Sequence, residues 1–97
     1  MNPIFQQIDE LIRAGQSTAA ASLLLEQTAS KPARAEALQL AGFARRLGRP
    51  ELGLRLLHAY VRNDTIDGPT IEEKIEYAGN LVRLGLSGEA KALLQSL

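Results

Sequence analysis

RLGRPELGLRLL, residues 46–57, is a phrase that the chain uses three times. It returns 37 residues later, at residues 83–94, as RLGLSGEAKALL, and it stands 33 residues earlier, at residues 13–24, as RAGQSTAAASLL. The shared skeleton is Arg, an apolar residue, Gly, four variable residues, a small residue, two variable residues and Leu-Leu. Repeats at this period mark stacked supersecondary units, each too small to bury its own apolar face.

Working outward from the phrase gives each unit its elements. In the third copy, Thr70 followed by Glu73 forms a capping box, so a helix is expected from Ile71. Ile71, Ile75, Ala78 and Val82 then fall on one stripe, and Tyr77, Leu81 and Leu84 on an adjacent one. A helix apolar on two faces is expected to have neighbours on both. Gly85 ends it in the left-handed conformation, Arg83 favours the negative end of its dipole, and Ser87 is expected to cap a second helix carrying Ala90, Leu93, Leu94 and Leu97. The second copy predicts a helix over 33–47 ending at Gly48 and another from Pro50 to about residue 62. The first predicts helices over 3–14, ending at Gly15, and over 17–29. The polar stretch 63–70, with Gly68-Pro69, reads as a loop and accounts for the longer second spacing.

The expectation is one all-α domain over 1–97: six helices in three hairpins, with repeats at about 3–30, 33–62 and 70–97. Gly15, Gly48 and Gly85 turn the chain. The small residues Ala20, Gly53 and Ala90 let the paired helices approach closely, and the Leu-Leu pairs fill the space between hairpins.

Composition narrows the function classes. Hydrophobic residues make up 45% and charged residues 23%, the balance of a folded globular chain. No cysteine means no disulfide, thiolate metal site or cysteine nucleophile. The first residues lack the basic and apolar blocks of a secretory signal, and no apolar run reaches the ~18 residues of a membrane span, so a cytoplasmic location is expected. His58 is the single histidine and has no partner at ligand spacing. Glu72, Glu73 and Glu76 crowd a helix start, where the dipole accounts for them. No strand-to-helix glycine loop is present for phosphate binding. An enzyme, a metal and a cofactor are therefore not expected.

Charge is unevenly spread within a net of zero. Arg13 against Asp9, Glu10 and Glu26 gives −2 over residues 1–30, while seven bases against Glu36 and Glu51 give +5 over 31–62. Three bases against six acids give −3 over 63–97. A basic middle between acidic ends fits solvated faces with pairing between neighbouring units, or an anionic contact. With only four Phe and Tyr residues and none interleaved among the arginines, nucleic acid is disfavoured.

In its repeat length, turn glycine and small residue, the chain resembles the tetratricopeptide repeat family. The residues that carry the likeness are Ile4, Ile8, Leu11, Gly15, Ala20 and Leu24; Leu40-Ala41, Gly48, Gly53 and Leu57; and Tyr77-Ala78, Leu81, Gly85, Ala90 and Leu94. The chain departs from that pattern where the family has tryptophan, here Ala37 or Lys74, and it lacks the closing proline, so related helical-hairpin arrays fit as well. The resemblance implies a right-handed α-solenoid whose concave groove binds a protein or peptide segment. Carried over position by position, the groove is Phe5, Asp9 and Ile12, then Leu38, Gly42 and Arg45, then Ile75, Gly79 and Val82. It is expected to be mainly apolar and to lack the lysines and asparagines of a carboxylate clamp. Gly42 and Gly79 recur in Ala-Gly-x-x-x-Arg-Leu-Gly, either to pack first helices closely or to admit a partner near the backbone. The implied function is non-enzymatic protein binding. The alternatives are a small chaperone holding a secretion or assembly substrate, and a module that self-associates through an uncovered C-terminal end.

Overall fold

The computed structural model describes residues 3–62 and 68–95. They form six helices: α1 Pro3–Arg13, α2 Ser17–Thr28, α3 Arg34–Arg46, α4 Pro50–Val61, α5 Ile71–Arg83 and α6 Ser87–Gln95. No strand occurs among the described residues. Most of the predicted loop, residues 63–67, lies outside them, as does the expected core position Leu97.

The shared phrase builds the three turns. Gly15, Gly48 and Gly85 have φ of +77°, +72° and +82°, a conformation that a Cβ strongly disfavours. The chain reverses there, and α1 packs on α2, α3 on α4 and α5 on α6. The Thr70–Glu73 box starts α5: Glu73 N–H donates to Thr70 Oγ1 at 3.1 Å, and Thr70 N–H donates to Glu73 Oε1 at 2.9 Å. Ser87 is the first residue of α6 rather than its cap, because the Ala90 amide already donates to the Leu86 carbonyl at 3.1 Å.

Successive hairpins join through two apolar clusters. Phe5, Ile8, Leu24, Leu40, Phe43 and Leu52 close the first hairpin on the second, with the Phe5 and Phe43 rings edge to face at 6.1 Å. Ala37, Ala41, Leu57, Tyr77, Ala78 and Leu81 close the second on the third. The first helices also meet directly, α1 on α3 and α3 on α5.

The uneven charge has its explanation at these junctions. Arg46 of the basic middle reaches back to Asp9 at 2.8 Å, and Arg34, Arg45 and Arg62 reach forward to Glu73 at 2.7 Å, Glu76 at 2.6 Å and Glu89 at 3.6 Å. The middle hairpin is basic because it faces acidic neighbours on both sides. The Arg46 guanidinium, the first cause, and Arg13 hold the Asp9 carboxyl below its ordinary value.

Gly53 has a different neighbour from the one expected. A Cβ there would strike the terminal atoms of Asn80 on α5, with Nδ2 at 2.6 Å, so its smallness serves the next hairpin and not the paired helix α3. Ala20 and Ala90 are buried.

Candidate functional site

The nine groove residues share three positions relative to the turn glycine, and the structure assigns those positions to different tasks. Phe5, Leu38 and Ile75 each stand ten residues before the glycine. Phe5 is buried in the first cluster and Leu38 packs against the second, while Ile75 is 52% exposed. Ile12, Arg45 and Val82, three before the glycine, behave alike: Ile12 packs on the first cluster, Arg45 pairs with Glu76 of α5, and Val82 is 53% exposed. Both positions look toward the following first helix. Phe5 is therefore a core residue and not a groove residue, because the second hairpin covers it.

The position between them carries Asp9, Gly42 and Gly79. Asp9 is held by Arg13 at 3.0 Å and by Arg46 at 2.8 Å. A Cβ on Gly42 would meet Glu76 Oε1 at 3.1 Å, and one on Gly79 would meet Arg45 Cδ at 3.0 Å. The two glycines thus make room for one ion pair, Arg45–Glu76, laid across α3 and α5. Charge pairs thus join the first helices, Arg46–Asp9 between α3 and α1 and Arg45–Glu76 between α3 and α5, at positions where the resemblance implies a mainly apolar surface. Gly42→Ala and Gly79→Ala each gain about 1 kcal/mol of helix propensity, offset as the first pushes on the Glu76 carboxylate and the second on the Arg45 stem. Urea unfolding is expected to place either variant within about 1 kcal/mol of the parent.

What remains free is the outward face of the third hairpin. Ile71, Ile75 and Val82 are 60%, 52% and 53% exposed along α5, and Leu94 of α6 is 40% exposed, although its counterparts Leu24 and Leu57 are 0% exposed. Arg34, at the position of Ile71, binds Glu73, and Leu38, at that of Ile75, packs on the second cluster. The third hairpin thus carries, in apolar form, the residues with which the second hairpin holds its successor, and no described element covers them. Ile75, Gly79 and Val82 line a shallow depression of about 340 Å³ with Arg45, Glu76 and Arg83. At the other end, the corresponding uncovered face of α1 shows Gln6, Gln7 and Glu10, all exposed and polar.

The sequence shows this face only in part. Its residues belong to one of the two apolar stripes on α5, and the expectation of neighbours on both stripes holds for Tyr77 and Leu81 on one and for Ala78 on the other, but not for Ile71, Ile75 and Val82.

His58 sits exposed beside Arg62, Tyr77, Glu89, Ala92 and Leu93, in a crevice spanned by the Arg62–Glu89 pair. No group of His, Cys, Asp or Glu among the described residues is arranged to hold a metal. No described helix is long and apolar enough to cross a membrane. Comparison with family models, curated proteins and solved structures yields no match.

Proposed function

We propose that this chain is a non-enzymatic protein-interaction module of the tetratricopeptide-like kind, a right-handed stack of three hairpins that binds through the outward face of α5. One observation carries the reading: Ile71, Ile75 and Val82 are exposed at positions used for hairpin-to-hairpin contact elsewhere in the same chain. A surface of this kind matches the apolar side of an amphipathic helix, whose anchors at i, i+4 and i+7 spacing fill such a stripe. The hairpin packing order supports the solenoid, and the paired charges on the concave side make the end of the stack a better binding element than the groove.

Ile75→Asp tests the reading, since the residue is exposed and its loss leaves the clusters intact. The unfolding free energy is expected to stay within about 0.5 kcal/mol of the parent, while partner capture in a pull-down from native cell extract is lost. Capture that survives Ile75→Asp overturns it.

A further inference from the structure

The uncovered α5 face has a pattern that its apolar character alone does not require. An antiparallel pairing centred near Tyr77 brings together Ile71 with Val82, both apolar, and Glu72 with Arg83, opposite in charge. We propose that the occupant of this face is a second copy of the chain, joined across a twofold axis with the two α5 helices antiparallel. The proposal rests on α5 being the binding element, and it names the partner.

In an antiparallel pair centred near Tyr77, the exposed Ile71, Ile75 and Val82 stripe of one copy lies against the same stripe of the other. The Arg45–Glu76 pair fills the space beside Gly79, so the contact is carried by the aliphatic stripe and its charged flank. Ile71 meets Val82 at each end of the pair. Glu72 and Arg83 lie on the same flank of α5 as Gly79, at about 100° of rotation per residue. They are eleven residues apart, about 16 Å along the helix. Same-flank residues face each other in an antiparallel pair, so each Glu72 carboxylate meets the Arg83 guanidinium of the second copy, once at each end. Both residues are exposed, and neither is engaged by another described residue. A twofold contact uses one patch twice, and this patch is its own complement.

The opposite end of the molecule argues against the other way of joining two copies. A head-to-tail stack would press Ile71, Ile75 and Val82 onto Gln6, Gln7 and Glu10 of α1, burying polar side chains against aliphatic ones. Such contacts also propagate without closing, which the polar α1 face prevents. A single-helix contact with Leu94 at its edge is small, so the dimer dissociates on dilution.

Sedimentation equilibrium of the full chain, over a range of concentrations, tests this. The mass is expected to rise from 10.5 kDa toward twice that value and stop there. Glu72→Arg alone and Arg83→Glu alone are each expected to weaken dimerisation about tenfold, since two exposed pairs change sign together. The double swap Glu72→Arg/Arg83→Glu restores it, and Ile75→Asp abolishes it. A dimer that Ile75→Asp abolishes but that ignores the charge changes overturns the antiparallel pairing and leaves the face as a binding element. A mass of one chain at every concentration overturns self-association; if Ile75→Asp then still removes partner capture, the interaction reading stands. Masses that climb beyond two copies overturn the twofold arrangement, and a dimer indifferent to Ile75→Asp overturns both readings.

Discussion

Arg34→Ala is expected to lower the unfolding free energy by about 3 kcal/mol, the lower end of the range for stripping one partner from a buried ion pair. Glu73 has almost no exposed surface, and its two carboxylate oxygens accept from Arg34 Nε and Nη2 at 2.7 Å each. The same guanidinium donates to the Gly68 carbonyl and lies 4.9 Å from the Tyr60 ring centroid. One side chain of α3 thus fixes the start of α5 and the backbone ahead of it, and touches α4. Without Arg34, the carboxylate keeps only the Thr70 amide and stays buried. The double variant Arg34→Ala/Glu73→Ala is expected to be more stable than the sum of the single changes, because it removes the stranded charge as well.

The same pair sets a pH dependence. The Arg34 hydrogen bonds, first, then the Thr70 amide hold the Glu73 carboxyl below its ordinary value of 4.5, against the opposing effect of burial. A folded-state value below the unfolded one means the unfolded chain binds the proton more readily. The stability Glu73 contributes is therefore complete above about 4.5 and is lost as the pH falls through the depressed folded value. Urea unfolding followed from pH 6 to pH 3 is expected to show this loss in the parent and a flatter profile in Arg34→Ala. Equal slopes in the two proteins would remove Arg34 as its cause.

The elements legible in the sequence are those with a local cause. Three glycines at matching positions require a left-handed backbone that few other residues adopt, and Thr70–Glu73 is a reciprocal hydrogen bond within four residues. Both are visible without knowing what packs where. The charge blocks are also legible in part: of the two readings they allow, pairing between neighbouring units is met by Arg46–Asp9, Arg34–Glu73 and Arg45–Glu76. The groove positions divide between buried and exposed residues for a specific reason. Positions such as that of Phe5, Leu38 and Ile75 lie where a first helix faces the next hairpin. Whether such a position is site or core depends on the presence of a further hairpin to cover it, which periodicity does not reveal. Asn80 escapes sequence reading altogether, since a polar residue between Gly79 and Leu81 gives no sign of complete burial.

Asn80 supplies the sharpest expected result. Its Nδ2 donates to the Glu76 carbonyl at 2.9 Å, while Oδ1 is buried without a partner, an arrangement that costs stability unless the space around it is well used. The space is used by omitting a side chain on the facing helix: Gly53 leaves α4 bare where the Asn80 amide lies against it. Alanine at an ordinary helical glycine position gains about 1 kcal/mol. Here the added methyl has no direction in which to displace Asn80, which is fully enclosed, and overpacking of this kind costs about 1–3 kcal/mol. Gly53→Ala is expected to destabilise the parent by about 1–2 kcal/mol net. In an Asn80→Ala background the obstruction is gone, and the same substitution is expected to stabilise by about 1 kcal/mol through propensity alone. A reversal of sign between the two backgrounds, read as a double-mutant cycle by urea unfolding, is specific to steric contact between positions 53 and 80. If Gly53→Ala has the same sign in both, α4 and α5 do not meet through this glycine, and the third hairpin packs on the second in some other way.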